Sequence, residues 1–196
     1  MRKGWIILIV VVIVLLLLGR WYVSTRNGFV AKDEGVKTAW SQVENVYQRR
    51  ADLIPNLVET VKGVAGFERE TYTAVTEARS QVNNINMEGI LDDPERFQQF
   101  QAVQGELSSA LSRLMVVVEN YPQLRANQNF LNLQAQLEGT ENRIAVERRR
   151  FNEAARTYNT AIRLFPGSIV AGMSGFQSRT YFEAQEGAEE APRVQF

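Results

Sequence analysis

The sequence contains no cysteine and no histidine. Their absence removes the thiol nucleophile, the commonest general base near neutral pH, and the usual ligands of zinc, haem and iron–sulfur clusters. Disulfides go with them, so cysteine usage carries no information on redox compartment. A carboxylate-bridged di-iron centre in a helical bundle takes a Glu-x-x-His pattern, which the sequence cannot supply. Neither sign of charge is in surplus, because 22 Lys and Arg balance 22 Asp and Glu. No excess positive charge is left to displace counterions from phosphate, so no nucleic-acid partner is expected. A Gly-x-x-x-x-Gly-Lys-Ser/Thr phosphate loop is also missing. Serine without a histidine base is a weak nucleophile, which leaves only Ser–Lys arrangements. The sequence predicts no enzyme and no cofactor.

What is present begins with a hydrophobic run. Arg2 and Lys3 precede unbroken apolar residues from Trp5 to Leu18, followed by Gly19, Arg20, Trp21, Tyr22 and Val23. A secretory signal peptide also starts this way, but it needs small residues at a cleavage site, and Gly-Arg-Trp-Tyr-Val-Ser-Thr-Arg offers no Ala-x-Ala pattern. Trp5 stands about 24 Å from Trp21 and Tyr22 on a helix, and aromatic rings favour the two membrane interfaces. Arg20 can snorkel outward from the last turn. Residues 1–26 are therefore expected to be an uncleaved single-pass anchor marked by Trp5, Leu18, Trp21 and Tyr22, with the lipid bilayer as a partner.

Two signals for its orientation compete. The tally of Arg20, Arg26, Lys32 and Lys37 against Arg2 and Lys3 favours a cytoplasmic domain. Arg2 and Lys3 abutting the run, as in a signal anchor, favour export of the domain from a bacterial inner membrane, and export is the reading taken.

Roughly 150–170 residues follow the anchor, enough for one compact domain. Their dominant signal is the helical period. Val36, Trp40, Val43, Tyr47, Ala51, Ile54, Val58, Val61 and Ala65 form one stripe. Pro55 interrupts this helix. Its missing N–H leaves the carbonyl of Ala51 unpartnered, which predicts a kink rather than a stop. Gly63 and Gly66 end the element, and a shorter helix carries Phe67, Tyr72, Val75, Ala78 and Val82. Asp92-Asp93-Pro94-Glu95 announces a third helix with the stripe Phe97, Phe100, Val103, Leu107, Leu111, Leu114 and Val118. After Asn120-Tyr121-Pro122, a fourth and longest helix carries Phe130, Leu133, Leu137, Ile144, Phe151, Ala155, Tyr158, Ile162 and Phe165.

No window alternates like a strand. The fold class expected is all-α: an N-terminal transmembrane helix, then an antiparallel four-helix bundle of long, kinked helices over residues 27–165.

The remaining segment, 166–196, is first Gly-spaced and apolar, then acidic through Glu183, Glu186, Glu189 and Glu190. Lacking a sustained period, it is expected outside the bundle, although a strap over one end of the bundle is an equal reading for Gly167–Phe176, beside contact with the membrane or a second copy. The acidic pairs Asp92/Asp93 and Glu189/Glu190 read as a helix cap and a solvated run rather than as cation sites.

The most suggestive polar groups are Arg49, Arg50, Arg148, Arg149 and Arg150, with Asp52 and Glu141 as acidic partners. They can grip anionic lipid, but surface pairing along the helices is the favoured reading. Arg148 is the exception. It falls in line with Ile144, Phe151 and Ala155, which predicts a buried partner, Asp52 or Glu141, that sets helix register.

The longer motifs resemble those of the LemA family. They are Trp40-Ser41-Gln42-Val43-Glu44, Arg49-Arg50-Ala51-Asp52-Leu53-Ile54-Pro55-Asn56-Leu57-Val58-Glu59-Thr60-Val61-Lys62-Gly63, Glu119-Asn120-Tyr121-Pro122, Glu138-Gly139-Thr140-Glu141-Asn142-Arg143-Ile144-Ala145-Val146, Tyr158-Asn159-Thr160-Ala161-Ile162 and the closing Pro192-Arg193-Val194-Gln195-Phe196. Val64-Ala65-Gly66-Phe67-Glu68 and Gln195 depart from the family pattern. The resemblance implies a bacterial membrane-anchored helical protein and no reaction. Taken together, the expected role is a self-associating scaffold, a homo-oligomer at the membrane. The alternative is an adaptor that presents a partner to a membrane protease or envelope enzyme.

Overall fold

A computed structural model describes residues 2–64, 66 and 68–183 of the chain. The expectations placed on Ala65, Phe67, Glu186, Glu189, Glu190 and the terminal Pro192–Phe196 lie outside the described residues, as do those on the Arg2 and Lys3 side chains. The elements in order are α1 (Arg2–Lys62), α2 (Arg69–Asn83), a 3-10 turn (Ile90–Asp92), α3 (Pro94–Val118), α4 (Pro122–Arg125), α5 (Gln128–Arg163) and α6 (Gly167–Ser174). There is no strand among the described residues.

The capping signals act where the sequence places them. Asp93 accepts hydrogen bonds from the backbone N–H groups of Glu95 and Arg96, both at 3.1 Å, and Pro94 opens α3. Asn127 does the same for α5, accepting from Asn129 and Phe130. Each side chain satisfies N–H groups that a helix start leaves without intrahelical partners.

α1 is 61 residues long and carries the apolar run straight through position 26 into the domain. Its stripe is buried as the spacing predicts, with Val36, Val43 and Val61 fully covered. α1 packs on α5, α2 and α6, and α2 packs on α3. Partners on α5 fall in number as those on α1 rise: Trp40 meets Phe151, and Arg50 meets Glu141. The buried side chains form two clusters. One contains Phe29, Trp40, Tyr47, Phe97, Phe151 and Phe182. The other contains Ile54, Val61, Val75, Leu107, Leu114 and Phe130.

Pro55 sits inside α1 without stopping it. The Ala51 carbonyl that it orphans is satisfied from α2, where Arg79 Nε donates to it at 3.0 Å. Losing this charge-assisted, half-buried bond in Arg79→Ala is expected to cost about 1–2 kcal/mol. In a Pro55→Ala background the backbone N–H restored at that position takes over the carbonyl, and the same change should cost less. A urea double-mutant cycle on the full-length chain in mild detergent measures that coupling; additive losses would show that Arg79 does not serve the proline.

Two expectations are corrected. Phe165, assigned to the α5 stripe, is 81% exposed, because α5 ends at Arg163 and the chain leaves the helix one residue later. Residues 167–183 pack on the bundle, against the expectation that the segment lies outside it and in agreement with the strap reading of Gly167–Phe176. Gly167 begins α6 so close to α5 and α1 that a Cβ there would lie 2.9 Å from the Ala161 carbonyl oxygen of α5 and 3.0 Å from the Phe29 ring of α1. Only glycine fits that approach. Val170, Ala171 and Phe182 are buried. Gly175, at φ 74°, ends α6 in the left-handed region and turns the chain back along α5.

Candidate functional site

The aromatic cluster and the lower apolar cluster are separated by a polar layer centred on Arg50. This side chain is 1% exposed although it is charged. Its Nη1 donates to Ser108 Oγ at 2.7 Å and to Glu141 Oε1 at 2.8 Å. Its Nη2 donates to the Gln104 backbone carbonyl and to Gln104 Oε1. The Tyr47 ring lies under the guanidinium, 5.1 Å from centroid to Cζ. Buried Nε has no hydrogen-bond partner.

Three helices supply this layer. α1 provides the floor, while α3 and α5 stand apart on either side and leave an open groove of about 790 Å3. Gln98, Gln101, Ser109, Arg148 and Glu183 line it together with the Arg50 layer. Burial raises the Tyr47 hydroxyl pKa above its usual value, an effect that the nearby Arg148 and Arg50 charges oppose without reversing.

At the upper end of the groove the chain after α6 runs as an extended strap held by two asparagines of α5. Asn152 donates from Nδ2 to the Phe182 carbonyl and accepts the Phe182 N–H on Oδ1, both at 2.9 Å. Asn159 treats Arg179 identically, with both bonds at 2.8 Å. Each amide thus completes a backbone pair as a neighbouring strand would. The spacing matches: seven helical residues advance about 10.5 Å, and three extended residues about 10 Å.

Arg179 then reaches across to α1 and the 3-10 turn. Its Nη2 pairs with Asp33 Oδ1 at 2.7 Å, and its Nη1 bonds to the Leu91 carbonyl and to Asp92 Oδ1. Burial alone would raise the Asp33 carboxyl pKa, but hydrogen bonds from Arg179 and Lys37 outweigh it and hold the group below its usual value. Asp33 is therefore predicted to stabilise the fold fully above the unfolded carboxylate pKa of about 3.9, losing that contribution as pH falls through the lower folded value. Asp33→Asn should be about 1–3 kcal/mol less stable than wild type near neutral pH. Urea midpoints measured down to acid pH should show this gap closing, and a gap independent of pH would contradict the assignment.

The predicted site residues divide unevenly. Arg50 and Glu141 meet in the groove. Arg148 is half-buried, but its partners are neither Asp52 nor Glu141. It donates to the Glu183 carbonyl at 2.7 Å and stacks on the Phe182 ring at 4.7 Å, so it holds the strap and sets no register with α1. Asp52 is exposed and accepts from Gln48 one turn away. Arg49 and Arg149 are exposed, and Arg150 pairs with Glu147 within α5 at 2.8 Å. Pro55 is on the exposed face of α1. Trp5, Leu18 and Trp21 are exposed along the apolar run, whereas Tyr22 bonds through its hydroxyl to Ser174 Oγ at 3.0 Å.

Sequence reasoning missed Gln104, Asn152, Asn159 and Arg179. Among the described residues no cluster of three or more carboxylates is arranged to hold a metal ion. The polar groups around Arg50 bond to one another and tie α1 to α3 and α5.

A family model described as the LemA family matches residues 39–196. The chain is 29% identical over 173 residues to magnetosome protein MamQ of Magnetospirillum gryphiswaldense, covering 80% of this chain and 64% of that protein. It is 28% identical over 174 residues to magnetosome protein MamQ 2 of Paramagnetospirillum magneticum, with the same two coverages. Protein LemA of Metamycoplasma hominis is 24% identical over 165 residues, which is 84% of this chain and 72% of that protein. The chain thus spans less than two thirds of the length of the two magnetosome proteins. Since the family model takes in everything from just before Trp40 to the last residue, the protein belongs to the LemA family.

Proposed function

We propose that this protein is a non-enzymatic, single-pass membrane protein whose helical domain is a self-associating scaffold at a bacterial inner membrane, the domain lying on the exported side. The observation that carries the reading is the continuity of α1, which joins an apolar segment of mean hydropathy 2.8 to the floor of the domain in one helix. A rigid connection of that kind fixes the domain's height and direction over the bilayer. Proteins tethered in a plane have a high effective concentration, so weak pairwise contacts suffice for lateral assembly.

The falling α5 partners of α1 support an antiparallel bundle over residues 27–165, with 1–26 as anchor and 166–196 as an appended segment. The buried charged groups Asp33, Arg50 and Glu147 are paired within the chain, which supports a role in packing. The names of the relatives carry no reaction.

One observation favours a second reading, the adaptor. The α3–α5 groove is open and lined mainly by polar side chains. Crosslinking in intact cells, followed by mild detergent extraction, sizing and identification, separates the two. A scaffold yields large, concentration-dependent assemblies of this chain. An adaptor yields a small species with a second protein attached, and a small species alone would defeat both.

A further inference from the structure

α6 leads toward the apolar run. It starts against Phe29, where Gly167 touches the ring, and ends at Tyr22, whose hydroxyl bonds to Ser174. Tyr22 lies about 6 Å past Leu18 along the helix axis, and Phe29 about 10 Å farther still. The layer of lipid headgroups on each side of the hydrocarbon core is about 5–8 Å deep. The tip of α6 therefore stands at headgroup height if α1 crosses the bilayer, and the inference rests on that reading.

The inner face of α6 is used up, since Val170 and Ala171 are buried against the domain. Its outer face presents Ile169 and Met173, one helical turn apart and 52% and 73% exposed, with exposed Leu164 and Phe165 just before the helix. Beyond the anchor, the other large apolar side chains this open to solvent are scattered singly, as Val116 and Leu131 are, and explain themselves.

The charge around the patch points the same way. Arg26, Lys32 and Arg163 are exposed on the turns beside it, and residues 19–32 and 160–176 include no Asp or Glu. The first carboxylates on α1, Asp33 and Glu34, lie past Phe29 on the side away from the apolar run. A cationic rim around an apolar face is the pattern that lies down on an anionic lipid surface.

We propose that the Ile169–Met173 face of α6 is a second membrane contact, docked into the anionic headgroup layer of the bilayer that α1 crosses. Two attachments on one side of the domain then fix its rotation about α1 as well as its height, and the α3–α5 groove is held in a constant direction. Depth should be graded, with Met173 deepest, Ile169 next and Phe165 at the outer edge.

The absence of native cysteine makes the test clean. Full-length Met173→Cys, Phe165→Cys, Ile13→Cys and Val116→Cys, each carrying a polarity-sensitive fluorophore, are reconstituted into phosphatidylcholine–phosphatidylglycerol vesicles. The lipids carry spin-label quenchers either at the headgroup or deep in the acyl chain. The expected result is headgroup quenching at Met173 several-fold stronger than at Val116, with Phe165 between them, and deep quenching at Ile13.

If Ile13 is quenched while Met173 behaves like Val116, the α6 contact is wrong and the anchor stands. If Met173 is quenched while Ile13 is not, α6 docks and the spanning reading falls. If neither is quenched, both fall. A Met173 signal shielded from water but untouched by lipid quenchers, and released on dilution to one protein per vesicle, would assign the face to a second copy and overturn the proposal.

Discussion

Trp40→Ala is expected to destabilise the domain by about 3–5 kcal/mol, the range for deleting a large buried aromatic side chain. The indole is 5% exposed and sits at the crossing of three segments. Its ring lies 5.6 Å from Phe97, 5.4 Å from Phe100, 5.6 Å from Phe151 and 6.1 Å from Phe182. Those partners belong to α3, α5 and the strap, so one truncation loosens the seating of all three on α1. Against a total stability of about 5–15 kcal/mol, a loss of this size removes a large share of what holds the fold.

The same variant should release the strap, because Phe182 loses a stacked neighbour and keeps Phe97, Phe151 and the Arg148 guanidinium. Urea midpoints of the full-length chain in detergent measure the first effect, and the rate of tryptic cleavage at Arg179 measures the second. Trp40→Phe should lose much less of either. A midpoint shift for Trp40→Ala no larger than that of an exposed substitution would mean that the cluster does not hold the domain.

The elements that local chemistry determines are readable from the sequence. Asp93-Pro94 and the stripe from Phe97 to Val118 define α3 because capping and periodicity depend only on neighbours within a few residues. Stripe membership is harder to read at its margins. Gln104 is buried where Val103 is expected, since its side-chain oxygen accepts from the buried Arg50 guanidinium and a valine side chain cannot.

Arg50 itself is within reach of the same reasoning. Val43, Tyr47, Arg50, Ile54, Leu57 and Val61 step by four and three without a fault, so it occupies the middle of the buried face. Adjacent arginines read as a solvated surface, which hides it, while Arg148 draws attention by the same stripe argument on α5. The strap leaves no local trace. An extended segment paired to asparagine side chains has no period of its own, and Asn152 and Asn159 look like ordinary polar helix positions until the segment that they grip is in place. Phe165 fails for the opposite reason. Its spacing continues the stripe, but the helix ends at Arg163 and periodicity has no meaning beyond that point.

Arg50→Ala is expected to cost about 2–4 kcal/mol, from the cavity left by a fully buried side chain and from the loss of its bonds to Gln104, Ser108 and Glu141. The charge itself contributes little of this. Glu141 is 40% exposed, so the ion pair is screened by water, and Nε is a buried donor without a partner, which works against the native residue. Arg50→Met keeps most of the volume and removes the unsatisfied donor, so it should lose far less than the alanine variant. Glu141→Gln removes only the screened charge, and should cost about 0.5–1 kcal/mol in the wild-type background but almost nothing after Arg50→Met. A urea cycle over Arg50 and Glu141 measures that coupling, and equal losses in both backgrounds would show that the pair is incidental.

The cycle also decides what the charge is for. If Arg50→Met is as stable as wild type and keeps the near-ultraviolet dichroism of ordered aromatic rings, the arginine is dispensable for folding. Its retention at the floor of an open groove then belongs to whatever that groove holds. If stability is kept but the dichroism fades and the chain binds hydrophobic dye, the guanidinium serves to select one packing of α1, α3 and α5. Four fixed bonds in three directions can enforce that selection, and an apolar side chain cannot.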